Sequence, residues 1–333
     1  MTGGLPRGCP GAAEGPGARI PRKSARVSTA PYDRSEYTTP GRGLGILDVF
    51  RRRYLLKLLV QKGTSLRYRN SVLGWLWSYV RPTVQFFVYF FVVGHVLGAS
   101  GKVGLYPLYL FSGIVVVNLF NEAFGNATKS IVANKSLVRK IYLPRELFPI
   151  AAIIGSFINF LPQLLVLVIV AVIFGWIPTW ASLGLMLASL AIIVLFSTGI
   201  GLITSAINVR FRDAQNFVEI VRMVATWTAP VLYTWVMIYG KIPDWMFFTW
   251  ASNPLAVCVE MFHQAVWGPT IERLVDAKVA AGQVLSEGEA KGNIGFAPDY
   301  GIYVLVAVGL TVLALIIGQW VFRRFERTFA QDL

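Results

Sequence analysis

The stretch Arg67-Tyr-Arg-Asn-Ser-Val-Leu-Gly-Trp-Leu-Trp-Ser-Tyr-Val-Arg-Pro-Thr-Val84 decides how the chain is read. Two arginines precede a Trp-x-Trp pair, Trp75 and Trp77, and Arg81-Pro82 then falls well inside an otherwise apolar run. A plain membrane anchor needs no more than an interfacial Trp. A charge within a span costs about 2.5–3.5 kcal/mol on insertion scales, and a proline there removes a backbone donor. Both point to use rather than anchorage.

The composition agrees with a membrane reading. Of 333 residues, 55% are hydrophobic and only 14% charged, with a mean hydropathy of +0.57. Soluble domains carry about a quarter charged residues. The net charge of +14 is therefore read as basic residues held on the cytoplasmic side of a membrane protein, not as a nucleic-acid surface. Cys9 and Cys258 are expected on opposite sides of the membrane, so no disulfide is expected. His95 and His263 lie far apart, without an HxxxH or Cys partner, so no metal site is expected either.

Residues 1–43, rich in Gly, Pro, Arg and Ser, read as a disordered basic cytoplasmic tail without the apolar core of a signal peptide. Residues 44–71 read as an amphipathic interface helix and connector. Leu44, Leu47, Phe50, Tyr54, Leu55, Leu58 and Leu59 recur at helical spacing opposite Arg51, Arg52, Lys57 and Lys62. The six-span domain then occupies residues 72–333, with spans expected at 72–97, 106–128, 148–175, 181–207, 216–238 and 300–322. Lys and Arg concentrate in 44–71, in the linkers after the second and fourth spans, and in the short tail 323–333, so both termini are expected in the cytoplasm. The loop 239–299 is aromatic and apolar at first, but Pro243, Asp244, Asn253-Pro254 and Glu260 interrupt it. Two short external re-entrant gate helices are expected there, followed by an acidic insert near 270–295. The fold class is thus an all-α membrane protein.

Catalytic motifs are not evident. Gly125-Asn-Ala-Thr-Lys-Ser130 has a Lys-Ser pair but lacks the glycine before the lysine and the preceding strand of a phosphate-binding loop. No Ser/His/Asp set stands out, and Asp244 and Glu260 are weak candidates for a membrane glycosyltransferase carboxylate. The polar and aromatic intrusions carry more. Trp75, Tyr79, Phe86 and Phe90 form one stripe on the first span, and Trp227 and Tyr233 flank Pro230 on the fifth. Such rings can pack on the CH-rich faces of sugars and line a channel, or simply pack helices. Glu219 and Arg222, one turn apart, could neutralise each other as an intramembrane ion pair. Arg51, Arg52, Arg53, Arg67, Arg69 and Arg81 could hold a lipid-linked pyrophosphate, or bulk anionic lipid headgroups.

Four blocks then resemble one family. They are Arg67 to Pro82, Tyr142-Leu-Pro-Arg-Glu-Leu-Phe-Pro149, Asn208-Val-Arg-Phe-Arg-Asp213 followed by Ala229-Pro-Val-Leu-Tyr233, and Asn253-Pro-Leu-Ala256. In order and in topology they are similar to the Wzm-type membrane permease of polysaccharide-export ABC transporters. The overall likeness extends to exporters of lipid-linked galactan in actinobacterial cell-wall assembly. The resemblance implies a homodimer in the bacterial inner membrane, paired with two copies of a separate cytoplasmic ATPase that binds the ATP and Mg. This chain would hold no cofactor of its own. It implies a channel for a lipid-linked polysaccharide between protomers, lined by the aromatics of the first and fifth spans. It also implies that the linker with Lys135, Arg139, Lys140, Tyr142 and Arg145 couples to the ATPase. A drug or lipid exporter of the same fold, a polyprenyl-dependent glycosyltransferase and an assembly scaffold remain the alternatives.

Overall fold

The structure, a computed structural model, describes residues 52–68, 76–140, 143–283, 294–326 and 329. The tail 1–43, Arg51, Arg69, Trp75, Tyr142 and the insert residues 284–293 lie outside them. Among the described residues all regular structure is helical. The helices are α1 (Arg53–Tyr68), α2 (Trp77–Tyr89), α3 (Ala99–Lys102), α4 (Tyr106–Ala133), α5 (Lys135–Lys140), α6 (Leu147–Ile173), α7 (Trp180–Arg210), α8 (Ala214–Thr228), α9 (Asp244–Ala251), α10 (Pro254–Ala280) and α11 (Tyr300–Glu326).

Four helices, α4, α6, α7 and α11, are long and apolar enough to cross a membrane. They match four of the six expected spans. The other two are built differently. α2 runs on through a π-helix, Phe90–Val96, in which Gly94 packs against the Tyr106 ring. The expected span 216–238 is not one helix, because α8 stops at Thr228 after 15 residues. At 1.5 Å per residue that is roughly 22 Å, short of a hydrocarbon core of about 30 Å. Pro230 ends it by removing a donor, and the carbonyls left open are taken up by side chains. The Trp250 indole donates to Thr228 O at 2.7 Å. The Tyr109 hydroxyl lies 2.8 Å from both Pro230 O and Tyr233 O. The irregular backbone after α8 is thus shielded by side chains of the protein, as backbone beside lipid must be.

The second correction concerns 239–299. α9 is short, as expected, but its companion α10 is a 27-residue helix. Leu255, Val257, Phe262, Ala265 and Val266 on it are fully buried. It starts where sequence logic puts a start: Pro254 occupies the first turn and the Asn253 side chain accepts from Leu255 N at 3.0 Å. Pro269 does not break it. That proline has no N–H for the Ala265 carbonyl one turn back, and the Trp176 indole donates there instead, at 3.0 Å. Gln264 turns to Glu260 at 3.1 Å and to Gly295 O at 2.8 Å, so its polarity is met inside the fold.

α4 is the axle, buried on most of its circumference between α6, α7 and α10. α11 packs on α7 at a point where no side chain fits. A Cβ on Gly318 would lie 2.3 Å from the Gly199 carbonyl oxygen. Small residues admit this close backbone approach, which supplies the association energy that apolar side chains cannot supply in lipid. α1 lays Leu55, Leu56 and Leu59 against Leu147, Ile150 and Ile154 of α6, while Tyr54 and Leu58 stay exposed. Part of the expected interfacial stripe therefore packs on the chain itself, and part remains open as an interface helix needs.

Candidate functional site

One flank of α4 is polar through the depth of the bundle. Asn118, Glu122, Asn126 and Lys129 recur every three or four residues and so share a side, with Asn121 at its edge. Two neighbouring helices, α6 and α8, answer them. Asn121 Nδ2 donates to Thr226 Oγ1 of α8 at 2.9 Å. Asn159 Nδ2 of α6 donates to Glu122 Oε1 at 2.8 Å, and Asn126 Nδ2 to Ser156 Oγ at 2.8 Å. Lys129 Nζ pairs with Glu219 of α8 at 3.4 Å.

Arg222 reaches the same flank through a gap left by a glycine. A Cβ on Gly125 would stand 2.7 Å from its guanidinium nitrogen, so any side chain there must push the arginine away. Its Nε has no hydrogen-bond partner. Glu219, Arg81 and Glu122 are the charges close enough to act on it. Five ionisable groups from three helices thus converge where each is expensive to hold in lipid. Glu219 and Arg222 were expected to pair within their helix. In the structure the ion pair of Glu219 runs across helices to Lys129, and Arg222 senses it at longer range.

The expected channel aromatics divide into two groups. Trp227 is 60% exposed and, with Gln85, Tyr89 and Thr226, lines a narrow crevice between α2 and α8. Tyr233 is half-buried and its hydroxyl donates to Trp227 O at 3.0 Å. Phe86 and Phe90 instead pack on α4. They stack on each other at 5.8 Å, Phe86 meets Phe111 edge-on at 5.6 Å, and Phe90 lies against Tyr106 at 6.5 Å. The rings left open are Trp77 and Phe87 on α2 and Phe91 on the π-helix that follows it. Tyr79 is half-buried. The inner half of the stripe thus faces α4.

Among the basic candidates, Arg52, Arg53 and Arg81 are exposed, and the Arg67 side chain lies outside the described residues. In the linker, Lys135 and Arg139 on α5 are exposed, while the Lys140 side chain is outside the description. Arg145 is committed within the chain. It donates to the Glu326 carbonyl and lies 5.6 Å over the Phe329 ring, holding the end of α11. The sequence reading missed Asn121, Glu122, Asn126, Lys129 and Asn159, although the helical spacing of the α4 set was legible and would have found them.

The profile of the ABC-2 type transporter family matches residues 54–267, and the chain belongs to that family. The match runs from α1 into α10 and includes the whole polar flank. Family members are the membrane permease components of ABC transporters, integral membrane proteins rather than enzymes. Named relatives narrow the class. The chain is 28% identical over 205 residues to the O-antigen export system permease protein RfbA of Klebsiella pneumoniae, covering 61% of this chain and 76% of the relative. It is 28% identical over 188 residues to the RfbA of Myxococcus xanthus, covering 56% and 71%. It is 22% identical over 203 residues to the polysialic acid transport protein KpsM of Escherichia coli, covering 60% and 76%. The Wzm-type resemblance drawn from four sequence blocks is borne out by these relatives.

Proposed function

We propose that this chain is the transmembrane subunit of an ATP-driven exporter that moves a lipid-linked polysaccharide from the cytoplasm across the inner membrane. Two copies form the conduit, and two copies of a separate ATPase bind the nucleotide and Mg. Both termini, α1 and α5 face the cytoplasm, and six membrane passages are made, two of them by α2 with its π-helix and by the broken α8 segment. The cargo is a cell-envelope glycan, and galactan is the candidate by overall sequence likeness. The observation that carries this reading is the polar flank of α4, beside the exposed Trp227, in a chain whose relatives are named for O-antigen export and polysialic acid transport.

The flank suits a sliding chain. A sugar hydroxyl entering it replaces hydrogen bonds that already exist, such as Asn121 to Thr226 or Asn159 to Glu122. Exchange of one such bond for another nets little energy, about 1 kcal/mol or less, so no position becomes a trap. Rings beside the flank present flat apolar faces to the CH side of the sugar without fixing its register. At the cytoplasmic end α5 follows α4 directly, joined through Asn134, whose carbonyl accepts from Leu137 N at 2.9 Å and Val138 N at 3.1 Å. A thrust on the exposed Lys135 and Arg139 is therefore delivered along α4. Arg52, Arg53 and Arg81 supply cations at the level where a lipid-linked pyrophosphate enters.

The test is conditional depletion followed by analysis of lipid-pyrophosphate-linked glycans on each side of the inner membrane. Polymer accumulating inside and absent outside is the expected outcome. Loss from both sides would make the chain part of synthesis or assembly, and an unchanged pool would leave a small-amphiphile exporter; either overturns the proposal.

A further inference from the structure

A cleft of about 430 Å³ opens between α1, α4 and α6, away from the crevice between α2 and α8. Its size falls among small-ligand sites, which run from about 300 to 1,000 Å³. Its lining has two characters. Leu59, Phe148 and Ala151 give an apolar wall, while Lys62, Lys129 and Asn126 give cations and an amide. No carboxylate lines it among the described residues. Glu122 and Glu219 are turned to Asn159 and Lys129.

Lys62 is aimed rather than loose. Its Nζ donates to Asn134 Oδ1 at 3.0 Å, and the Asn134 amide is itself held to Ser130 O at 2.8 Å. One of its three ammonium protons is used, so two are left for an anion. Lys129 likewise makes one ion pair, at 3.4 Å to Glu219. α1 carries exposed Tyr54 and Leu58 and so sits at the level of the headgroups. An apolar wall beside two cations at that depth matches an amphiphile whose head is a phosphate or diphosphate. Basic pockets between helices at the cytoplasmic surface bind such heads.

We infer that this cleft is a binding site for the phosphate-bearing head of a membrane amphiphile, held by Lys62 and Lys129 with its first methylenes against Phe148 and Leu59. The head belongs either to a resident anionic phospholipid or to the prenyl anchor of the cargo. Only the second source rests on the export reading; the site itself rests on the cleft and its charges.

The experiment measures binding of three short-chain probes to the full-length permease with its ATPase partner: farnesyl diphosphate, dioctanoyl phosphatidylglycerol and dioctanoyl phosphatidylcholine. The variants are Lys62→Gln, Lys62→Arg and Gly155→Leu. Gly155 lines the cleft and a Cβ there meets nothing within 4 Å, so a larger side chain has the cleft to enter. Lys62→Gln and Gly155→Leu should each weaken binding of an anionic probe tenfold or more, and Lys62→Arg less than threefold. Sensitivity confined to farnesyl diphosphate assigns the cargo anchor; sensitivity confined to phosphatidylglycerol assigns a resident lipid; sensitivity of both assigns the shared head. Equal binding of phosphatidylcholine, or anionic binding unchanged in both variants, overturns the site. A failed depletion experiment with Lys62-dependent phosphatidylglycerol binding would sink the export reading and leave this site standing.

Discussion

Two tyrosines one turn apart on α4 make opposite predictions. Tyr106 and Tyr109 are both 1% exposed. The Tyr109 hydroxyl is within 2.8 Å of two main-chain carbonyls, Pro230 O and Tyr233 O, at the point where α8 breaks. The Tyr106 hydroxyl has no hydrogen-bond partner. Replacing each by phenylalanine keeps the ring, and with it the 3.9 Å stack of Tyr109 on His263 and the contact of Tyr106 with Phe90. Only the hydroxyls differ. One hydroxyl has one proton, so Tyr109→Phe deletes one bond and leaves a buried carbonyl short of a donor, a loss of about 1–3 kcal/mol. Tyr106→Phe removes an unpaired buried polar atom and should be neutral or slightly stabilising. At about 2–4 °C per kcal/mol for a chain of this order of size, the apparent melting midpoint should fall by roughly 2–12 °C for Tyr109→Phe. The assay is thermal unfolding of the detergent-purified chain at one fixed scan rate, because an irreversible midpoint depends on that rate. Equal falls for the two variants, or no fall for Tyr109→Phe, would refute the claim that this hydroxyl holds the broken span.

Three further substitutions probe other parts of the fold. Gly318→Val must drive its Cβ to 2.3 Å from Gly199 O and separate α11 from α7, so folded yield should collapse; Gly309→Val, with nothing within 4 Å, should be tolerated, and gel-filtration profiles compare them. Glu219→Gln breaks a pair whose side chains are 58% and 47% exposed, and should cost at most about 1 kcal/mol in thermal unfolding. A loss well above that would mean that the flank faces lipid rather than water, and would remove it as a path for a hydrophilic chain. Trp227→Ala should lower export with little change in melting, whereas Phe86→Ala, which strips a ring stacked on Phe90 at 5.8 Å and edge-on to Phe111 at 5.6 Å, should lower stability by about 1–3 kcal/mol; the reverse pattern would exchange their roles.

What was legible in the sequence is what depends on neighbours along the chain. α4, α6, α7 and α11 follow the expected spans closely, and Asn253-Pro254 marks a helix start in both readings. What was not legible depends on partners far away. Glu260 reads as an interruption until Gln264, donating to it at 3.1 Å and to Gly295 O, satisfies it inside α10. Glu219 and Arg222 read as a pair because they are one turn apart, and Lys129 cannot be seen from within that helix. The stripe of Phe86 and Phe90 gives a face but not what that face meets, and here it meets Phe111 and Tyr106.

The departures from regular helix are not scattered. The π-helix after Phe90, the stop of α8 at Thr228 and the burial of α10 all surround the Tyr106–Gly113 end of α4. At Gly113 a Cβ would stand 3.0 Å from His263 Nε2 and 3.3 Å from Val231 Cα, so α4, α10 and the irregular backbone after α8 meet at one residue. The opposite end of α4 carries Lys129, Asn134 and α5. A helix packed this tightly moves as a body, since cores rearrange in discrete steps rather than by continuous deformation. On the proposed coupling at α5, a displacement of α4 is met at its far end, where the Tyr109 hydroxyl lies 2.8 Å from two carbonyls of the irregular segment after α8. A break placed there gives the motion somewhere to go, whereas an unbroken apolar span in that place would have to slide past α4 as a whole.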